Sequence, residues 1–456
     1  MNAADSQRLG SSLEHLGYTP TDQAKHADVI ILNTCVVRQT AEDKAIGRLS
    51  SLKPLKTKRP ELVIGLMGCL VGVRDPEPLH RRFPWVDVFL PPSDPTPLLD
   101  YLAENGIVDE RRALEASALA QRLHLKDSDF ILPARERGCS VSAFVPIVLG
   151  CSHACSYCII PYRRGPERSR PSDEIISEAD ALAKQGVKEI TLLGQIVDRY
   201  GYDLHSSNGH ANETVNDHEA SPLISLLRRI HQVDGLERIR FLTSHPKWMS
   251  EELINAVADL SKVCQHFEVP IQAGNDEVLA RMRRGYTAAD YRDLIHKIRT
   301  RIPHASIATD IIVGFPGETD SQFQDTYNLL AELRLDKAHI ARYSPRPQTL
   351  ATRRYEDNVS QKEKERRRKA LDDLQGEIVA AINAQLFGKR VEILVEGRKK
   401  GRWWGRTRTD KLVFFEDDGD WLGELADMRI TWTGPWSLIG EPAGEKAPHD
   451  SSVKTG

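Results

Sequence analysis

The sequence predicts an α/β protein in three parts: an amino-terminal α/β sheet domain, a central partial (βα)6 barrel and a small carboxy-terminal β-barrel. Three observations carry this reading. A chain of 456 residues is far longer than one core serves, so several domains are expected. Short β-rich runs alternate with helical stretches for most of the length, the pattern of parallel strands joined by helical crossovers. Near residue 388 the alternation gives way to short strands separated by turns, as in a small all-β unit.

Residues 1–97 form the first part. "DSQRLGSSLEHLGY" has helical spacing, "ADVIILNTC" is a short β-rich run, "TAEDKAIGRLSSL" is helical again, and "ELVIGLMGC" is a second, buried strand. Both strands end in a cysteine, Cys35 and Cys69. Functional groups of an open parallel sheet gather beyond the carboxyl ends of its strands, so these two thiols are expected on one rim.

Residues 98–142 read as a helical, charged connector, and residues 143–375 as the barrel. There the strand "FVPIVLG" feeds a cysteine-rich loop, followed by the helix "DEIISEADALAKQG" and the strand "VKEITLLGQ". The units "LISLLRRIHQ" with "RIRFLTS", "EELINAVADLSK" with "FEVPIQ", "YRDLIHKIRTRI" with "SIATDIIVGF", and "DSQFQDTYNLLAELR" with "KAHIARYSP" complete the series. Such a series places functional residues at the strand carboxyl ends. "HSSNGHANETVNDHEASP" interrupts it as a polar surface insertion. A charged helix leads out, with "RRRK" at 366–369 read as its exposed face. Residues 376–445 hold the small β-barrel, and 446–456 a disordered tail.

Composition excludes several classes. Hydrophobic residues make up 40% of the chain, yet no apolar run reaches the ~18 residues of a membrane span, so no membrane partner is expected. The start, "MNAADSQRLG", lacks a basic end and an apolar stretch, which predicts no secretory signal and a cytoplasmic location. Seven cysteines are too few for a disulfide framework, and clustered thiols in a reducing compartment bind metal or do redox chemistry. The net charge of −3 hides a basic stretch: nine Lys/Arg against three Asp/Glu between Gly388 and Phe415.

Three of the seven cysteines, Cys151, Cys155 and Cys158, fall in "GCSHACSYCIIPYRRG" with C-x3-C-x2-C spacing. Three thiolates on a loop can hold one face of an iron–sulfur cluster while backbone N–H groups bond to sulfur, leaving one iron open to a small molecule. A zinc site completed by His153 is the alternative, although a histidine between the first two cysteines departs from the usual ligand spacing. Arg163, Arg164 and Arg168 lie near this loop in sequence, where they can meet an anionic substrate or pair with carboxylates.

C-x3-C-x2-C with Tyr157 before the third cysteine resembles the signature of radical S-adenosylmethionine enzymes. "CIIPYRRGPERSRP" is similar to that of a narrower group, the methylthiotransferases, and their other landmarks recur in order: "NTCVVRQTAEDKA", "MGCL", "LLGQIVDRYG", "FLTSHP", "MRRGYT", "TDIIVGFPGET" and "YSPRPQT". The resemblance spans nearly the whole chain and includes a terminal barrel like the family's TRAM domain. It implies a 4Fe-4S cluster on Cys151, Cys155 and Cys158 whose open iron binds exchangeable S-adenosylmethionine, both radical source and methyl donor. The 5′-deoxyadenosyl radical then takes hydrogen from a carbon that no side chain deprotonates. Tyr157, Gly194, Gln195, Ser244, Gln272 and Asp310 end or flank strands on the same rim and are the expected cofactor-binding residues.

The family carries a second, auxiliary 4Fe-4S cluster for sulfur transfer, normally on three cysteines. Cys35 and Cys69 match two of them. The third belongs in a "GCQMN"-like start, whereas this chain opens at "MNAADS". Either the true start lies upstream or that cluster has two protein thiolates here, and a chain beginning at Met1 is expected to insert sulfur weakly. Cys139 could substitute, and Cys264 is expected in the core.

Known targets of the family are an adenosine beside the tRNA anticodon and an aspartate of a ribosomal protein. "PYRRGPERSRP" and "LLGQIVDRYG" are similar to enzymes acting on carbon 2 of N6-isopentenyladenosine, with Ile196 in place of the usual asparagine; threonylcarbamoyladenosine is the alternative nucleoside. The terminal "GRKKGRWWGRTRTDKLVFF" agrees with an RNA partner. It interleaves cations and aromatics as phosphate contact and base stacking require, and nominates Arg402, Trp403, Arg406, Arg408 and Lys411. The bland reading of the same stretch makes the aromatics core and the cations a solvated rim. An electron donor such as flavodoxin or ferredoxin and a monomeric state complete the expectations, against a redox module or an inactive form.

Overall fold

The computed structural model describes residues 1–36, 39–74, 76–107, 132–204 and 221–444; the expected surface insertion, most of the connector and the tail lie outside them. The amino-terminal part runs α1 (Asn2–His15), β1 (Val29–Thr34), α2 (Gln39–Lys58), β2 (Val63–Gly68), α3 (Glu77–Arg82), β3 (Val88–Leu90) and α4 (Thr96–Glu104). Its strands pair in parallel in the order β1-β2-β3. β2 is buried at every position, as a central parallel strand with both faces covered must be. Thr34 lies opposite Gly68, so Cys35 and Cys69 leave neighbouring strands at the same edge. Gly68 has φ +97° there, and a Cβ would stand 2.6 Å from Thr34 O, so the turn into Cys69 requires glycine.

The central part contains β4 (Ser142–Pro146), β5 (Val148–Leu149), α5 (Ile160–Arg164), β6 (Arg168–Ser169), α6 (Ser172–Lys184), β7 (Glu189–Leu193), α7 (Pro222–His231), β8 (Arg238–Leu242), α8 (Glu251–Asp259), β9 (His266–Glu268), α9 (Asp276–Met282), α10 (Ala288–Arg301), β10 (Ser306–Val313), α11 (Asp320–Leu333) and β11 (Lys337–Arg342). Parallel pairing runs β4-β7-β8 and β9-β10-β11, and a bridge from Ile239 to Val263 joins the halves. Among the described residues β11 does not pair with β4, so the barrel is partial. Thr287 with Asp290, and Thr319 with Gln322, form capping boxes that start α10 and α11.

α12 (Leu350–Arg354) and α13 (Gln361–Ala384) follow. The run at 366–369 is not a wholly exposed face. Arg367 is buried, and its Nη1 donates to Glu318 Oε2 at 2.8 Å and Glu318 O at 3.0 Å, fastening α13 to the entry of α11. Neighbouring Lys364 is likewise buried against Asp357 at 2.6 Å.

The last part closes as β12 (Arg390–Lys399), β13 (Arg402–Thr407), β14 (Leu412–Phe415), β16 (Leu438–Pro442) and β15 (Leu425–Thr433), in that order around the barrel. At Gly405 a Cβ would meet Leu394 O at 2.3 Å, so this strand crossing demands glycine. Ile393, Val395, Trp403, Val413, Phe415, Met428 and Ile430 fill the core.

Arginines fasten this barrel to the central one. Arg240 pairs with buried Glu189 at 3.0 Å and donates to Arg408 O at 3.0 Å and Thr407 O at 2.7 Å. Arg238 reaches Arg406 O at 2.6 Å and Glu392 at 2.8 Å. Much of the expected RNA-facing set lies in this seam. Arg408 donates to Val263 O at 2.8 Å and Ser261 O at 2.6 Å, Lys411 pairs with Asp336 at 3.0 Å, and Trp403 is buried. Arg406 is held by Asp410 at 3.0 Å, and Arg402 alone of the five is more than half exposed. Sequence shows a basic stretch; the seam uses those cations on carbonyls the sequence cannot place. No helix among the described residues is long and apolar enough to cross a membrane.

Replacing Arg240 by alanine leaves Glu189 buried without its cation, a change that costs about 3–5 kcal/mol. Five of the seven tryptophans lie in the last barrel, so urea unfolding followed by tryptophan fluorescence should show its transition shifted to lower urea in R240A. An unchanged midpoint would remove the seam from the stability of that domain.

Candidate active site

The cysteine loop leaves β5 through Gly150, whose φ of +69° and lack of a Cβ let Pro166 O approach to 2.0 Å of where a Cβ would be. Cys151 N donates back to Gly165 O at 3.1 Å. Ser156, fully buried, pins the far side: its N donates to Met282 O at 3.0 Å, its hydroxyl to Arg281 O at 2.7 Å, and its carbonyl accepts from Ala351 N at 2.7 Å. The loop is thus held between β5, the end of α9 and the start of α12.

Burial pushes the Cys151 thiol up to about 11 and the Cys158 thiol up to about 12, with neighbouring Cys155 adding to both. The opposing influences are built in. Backbone N–H groups of His153 and Ile160 bond to Cys151 and Cys158, and Arg284 Nη1 donates to Cys155 Sγ at 3.2 Å. Arg284 is itself buried, held by Tyr286 at 2.9 Å and Pro270 O at 3.1 Å. The three thiols sense one another's charge, yet among the described residues no three His, Cys, Asp or Glu side chains gather as a single metal ion needs. The Cys3His zinc site is therefore not assembled. His153 instead packs edge-on against His245 at 4.7 Å. Three thiols, backbone donors and a buried guanidinium suit a larger, negatively charged thiolate cluster.

Tyr157 and Cys158 line a cavity of about 640 Å³ together with Gln272 and Asp310, which closes at Gln39, Thr40 and Arg346. Gln272 takes φ +74° where β10 pairs with it, donating to Asp310 O at 2.8 Å and accepting from Ile312 N at 2.9 Å; a non-glycine residue held there is strained. Thr243, before Ser244, is strained likewise at φ +69°. Ser244 is buried, and its hydroxyl has no partner among the described residues. Gly194 leaves no room for a side chain, with Val197 Cα 3.1 Å from its would-be Cβ, and Gln195 is half-buried beside it. Tyr157, Gln272 and Asp310 thus share one cavity, while Gly194, Gln195 and Ser244 stand at the ends of β7 and β8.

Arg284 and His245 lie within "MRRGYT" and "FLTSHP", motifs that by themselves state no role for either. Burial, with Arg284 adding to it, pushes His153 down to about 4 and His245 down to about 2, so both rings are neutral near pH 7. Their Nε2 atoms have no partner among the described residues. Asp198 accepts from His245 N at 3.0 Å, and burial raises it to about 7. Nothing in residue type alone marks these as neighbours of the loop.

Cys35 and Cys69 are together, as their strand ends require. Burial raises the Cys69 thiol, Arg164 opposes this through charge and a hydrogen bond, and Cys35 adds to the rise. Arg164 also holds Asn2 at 2.8 Å and Asp5 at 3.4 Å, so of the two roles open to it the carboxylate pair is realised, alongside a thiol. Arg168 is exposed. Cys139 is exposed and donates to Arg135 O at 2.9 Å, while Cys264 is buried in the core.

Residues 1–91 match the model described as Uncharacterized protein family UPF0004, residues 145–330 the Radical SAM superfamily, and residues 385–443 the TRAM domain. The chain is 45% identical over 443 residues to a protein of Roseiflexus sp. (strain RS-1) named tRNA-2-methylthio-N(6)-dimethylallyladenosine synthase, covering 96% of this chain and 87% of the relative. A protein of the same name from Herpetosiphon aurantiacus is 44% identical, covering 98% and 95%. Among solved structures, a radical S-adenosylmethionine methyltransferase from Kitasatospora setae is 14% identical, with TM-score 0.43 over 83% of this chain and 80% of that one.

The thiols give a pH-dependent prediction. Alkylation needs thiolate, whose fraction rises tenfold per pH unit below the pKa. In metal-free protein, iodoacetamide should label Cys151 and Cys158 slowly at pH 8 and faster as pH rises toward 11, read by peptide mass spectrometry. Labelling at pH 8 as fast as that of an ordinary exposed thiol would contradict the burial argument.

Proposed function

The chain belongs to the radical S-adenosylmethionine methylthiotransferases, the family of the tRNA-2-methylthio-N(6)-dimethylallyladenosine synthases, and on that premise we propose that it adds a methylthio group to carbon 2 of N6-isopentenyladenosine beside the tRNA anticodon. The observation that carries this reading is the three-thiol loop opening onto a cavity shared with Tyr157, Gln272 and Asp310, in a chain so similar to those synthases along its length.

When bound, a 4Fe-4S cluster supplies the electron that cleaves S-adenosylmethionine, opening a carbon–hydrogen bond that no acid or base in this chain can ionise. Cys151, Cys155 and Cys158 would hold it. Backbone N–H groups at His153 and Ile160, with the Arg284 guanidinium, offset the charge of the thiolates. Neutral His153 and His245 add no cation to oppose the approach of a sulfonium. Asp310, beside Gln272, puts a carboxylate on the cavity wall, where it and Gln272 can orient polar groups of the bound molecule.

Cys35 and Cys69 would supply thiolates to an auxiliary cluster serving sulfur transfer, a reading supported by their adjacent strand ends and by Arg164 on the Cys69 thiol. An external one-electron donor of the flavodoxin or ferredoxin type is required by the chemistry. On the last barrel, Arg402, Trp432 and Trp436 are more open than the seam cations and form the better candidates for RNA contact, the two tryptophans being 49% and 67% exposed.

Mass spectrometry of tRNA nucleosides from cells lacking the protein should show N6-isopentenyladenosine accumulating and its 2-methylthio derivative absent. Expression of the protein from its native locus should restore the derivative, and C158A at that locus should not. Loss of a methylthiolated threonylcarbamoyladenosine instead would replace the substrate assigned here.

A further inference from the structure

Arg346 follows β11 at the place where the partial barrel meets α2 of the amino-terminal domain. Its side chain is only 5% exposed. Nη1 donates to Gln39 Oε1 at 3.0 Å and to Glu42 Oε2 at 2.8 Å, but Nε and Nη2 have no partner among the described residues. These two nitrogens share one edge of the guanidinium, the edge that presents paired donors to a phosphate or carboxylate. Leaving such donors buried and unpaired is unfavourable, so the edge suits an acceptor.

The surroundings are electropositive. Arg163 stands close enough to sense Arg346, Arg74 and Glu42, and its Nε is likewise without a partner among the described residues. Arg163 thus adds positive charge near Arg346. The other arginines of the cavity also have carboxylates, Arg342 at Glu365, 3.3 Å away, and Arg368 at Glu365 and Asp372; Arg346 differs in keeping Nε and Nη2 buried without a partner among the described residues. Arg346 also lines the cavity that contains Tyr157 and Cys158, so an anion held here sits at the entrance to the chemistry and between two domains.

We propose that Arg346, with Arg163 beside it, receives a backbone phosphate of the RNA strand and so registers the target nucleotide over the cavity. This rests on the reading of the chain as a tRNA-modifying enzyme. The site takes a singly charged oxyanion on the free Nε–Nη2 edge, while Glu42 fixes the opposite edge and blocks a second anion.

The test uses the cluster-loaded full chain, an anticodon stem-loop carrying isopentenyladenosine, and separate binding curves for RNA and for S-adenosylmethionine. In R346Q the RNA affinity should fall about tenfold, and the slope of log K against log salt should shrink by about 0.7, one single-strand phosphate contact, with S-adenosylmethionine affinity unchanged. E42Q breaks the same tie to α2 but removes an anion, so its RNA affinity should stay level or rise. A neutral methylphosphonate moved along the loop should find one linkage that weakens binding to the unmodified protein and makes no difference to R346Q.

The proposal is overturned if R346Q loses S-adenosylmethionine affinity and keeps RNA affinity, which would make the anion a carboxylate of the small molecule. It is also overturned if E42Q weakens RNA binding as much as R346Q, which would leave Arg346 an interdomain tie only. If the unmodified protein binds no stem-loop, the tRNA reading itself falls, and the proposal with it.

Discussion

The geometry of the site depends on how one buried serine fixes the cysteine loop. Ser156 spends its N–H, its hydroxyl and its carbonyl on three different partners, at the end of α9 and the start of α12. A loop carrying three thiols repels itself once those thiols ionise, and burial makes ionisation dearer still. Without a fixed backbone the chain would relax by spreading the cysteines. The clamp at Ser156, with the glycine turn at Gly150, holds the loop backbone in place and leaves the electrostatic load to the donors around the thiols.

Those donors explain why arginine recurs through the interior. A guanidinium stays charged when buried and offers five donors in a fixed plane, so it can serve a thiol and carbonyls at once. Arg284 does so for Cys155 and Arg164 for Cys69, each with further partners that set its direction. Arg238, Arg240 and Arg408 apply the same property to backbone carbonyls between the central and last barrels. The two thiol sites and the seam thus use one device, with the second partner deciding its role in each case.

This arrangement also shapes the approach to the cavity. A partial barrel leaves its first and last strands unpaired with each other, and α2 meets the exit of β11 at that side. The cavity is therefore walled by two domains: Gln39 and Thr40 from the first, Tyr157, Gln272, Asp310 and Arg346 from the second. Strained backbone at Thr243 and Gln272 is confined to strand ends on the same rim, where departure from the pleat redirects a side chain without disturbing the sheet.

Much was legible in residue order alone. Alternating strand and helix periodicity located most of the parallel strands of the first two parts but not β3, whose three residues are too few to show a period. The cysteine at the end of β1 and the one at the end of β2 announced a shared rim, and C-x3-C-x2-C spacing identified the loop, because spacing and periodicity are local properties. What sequence could not decide was which cation meets which partner. Arg408 and Lys411 look like RNA contacts in a basic stretch, yet they close a seam with residues some 75 to 147 positions away. Arg284, His245 and Arg346 lie in the motifs "MRRGYT", "FLTSHP" and "YSPRPQT", yet their roles come from burial beside groups brought in by other strands, which the motifs do not state. The sequence by itself determined the elements and the thiols. Only the tertiary structure decided the electrostatics around them, because a charge acts through space and through what covers it.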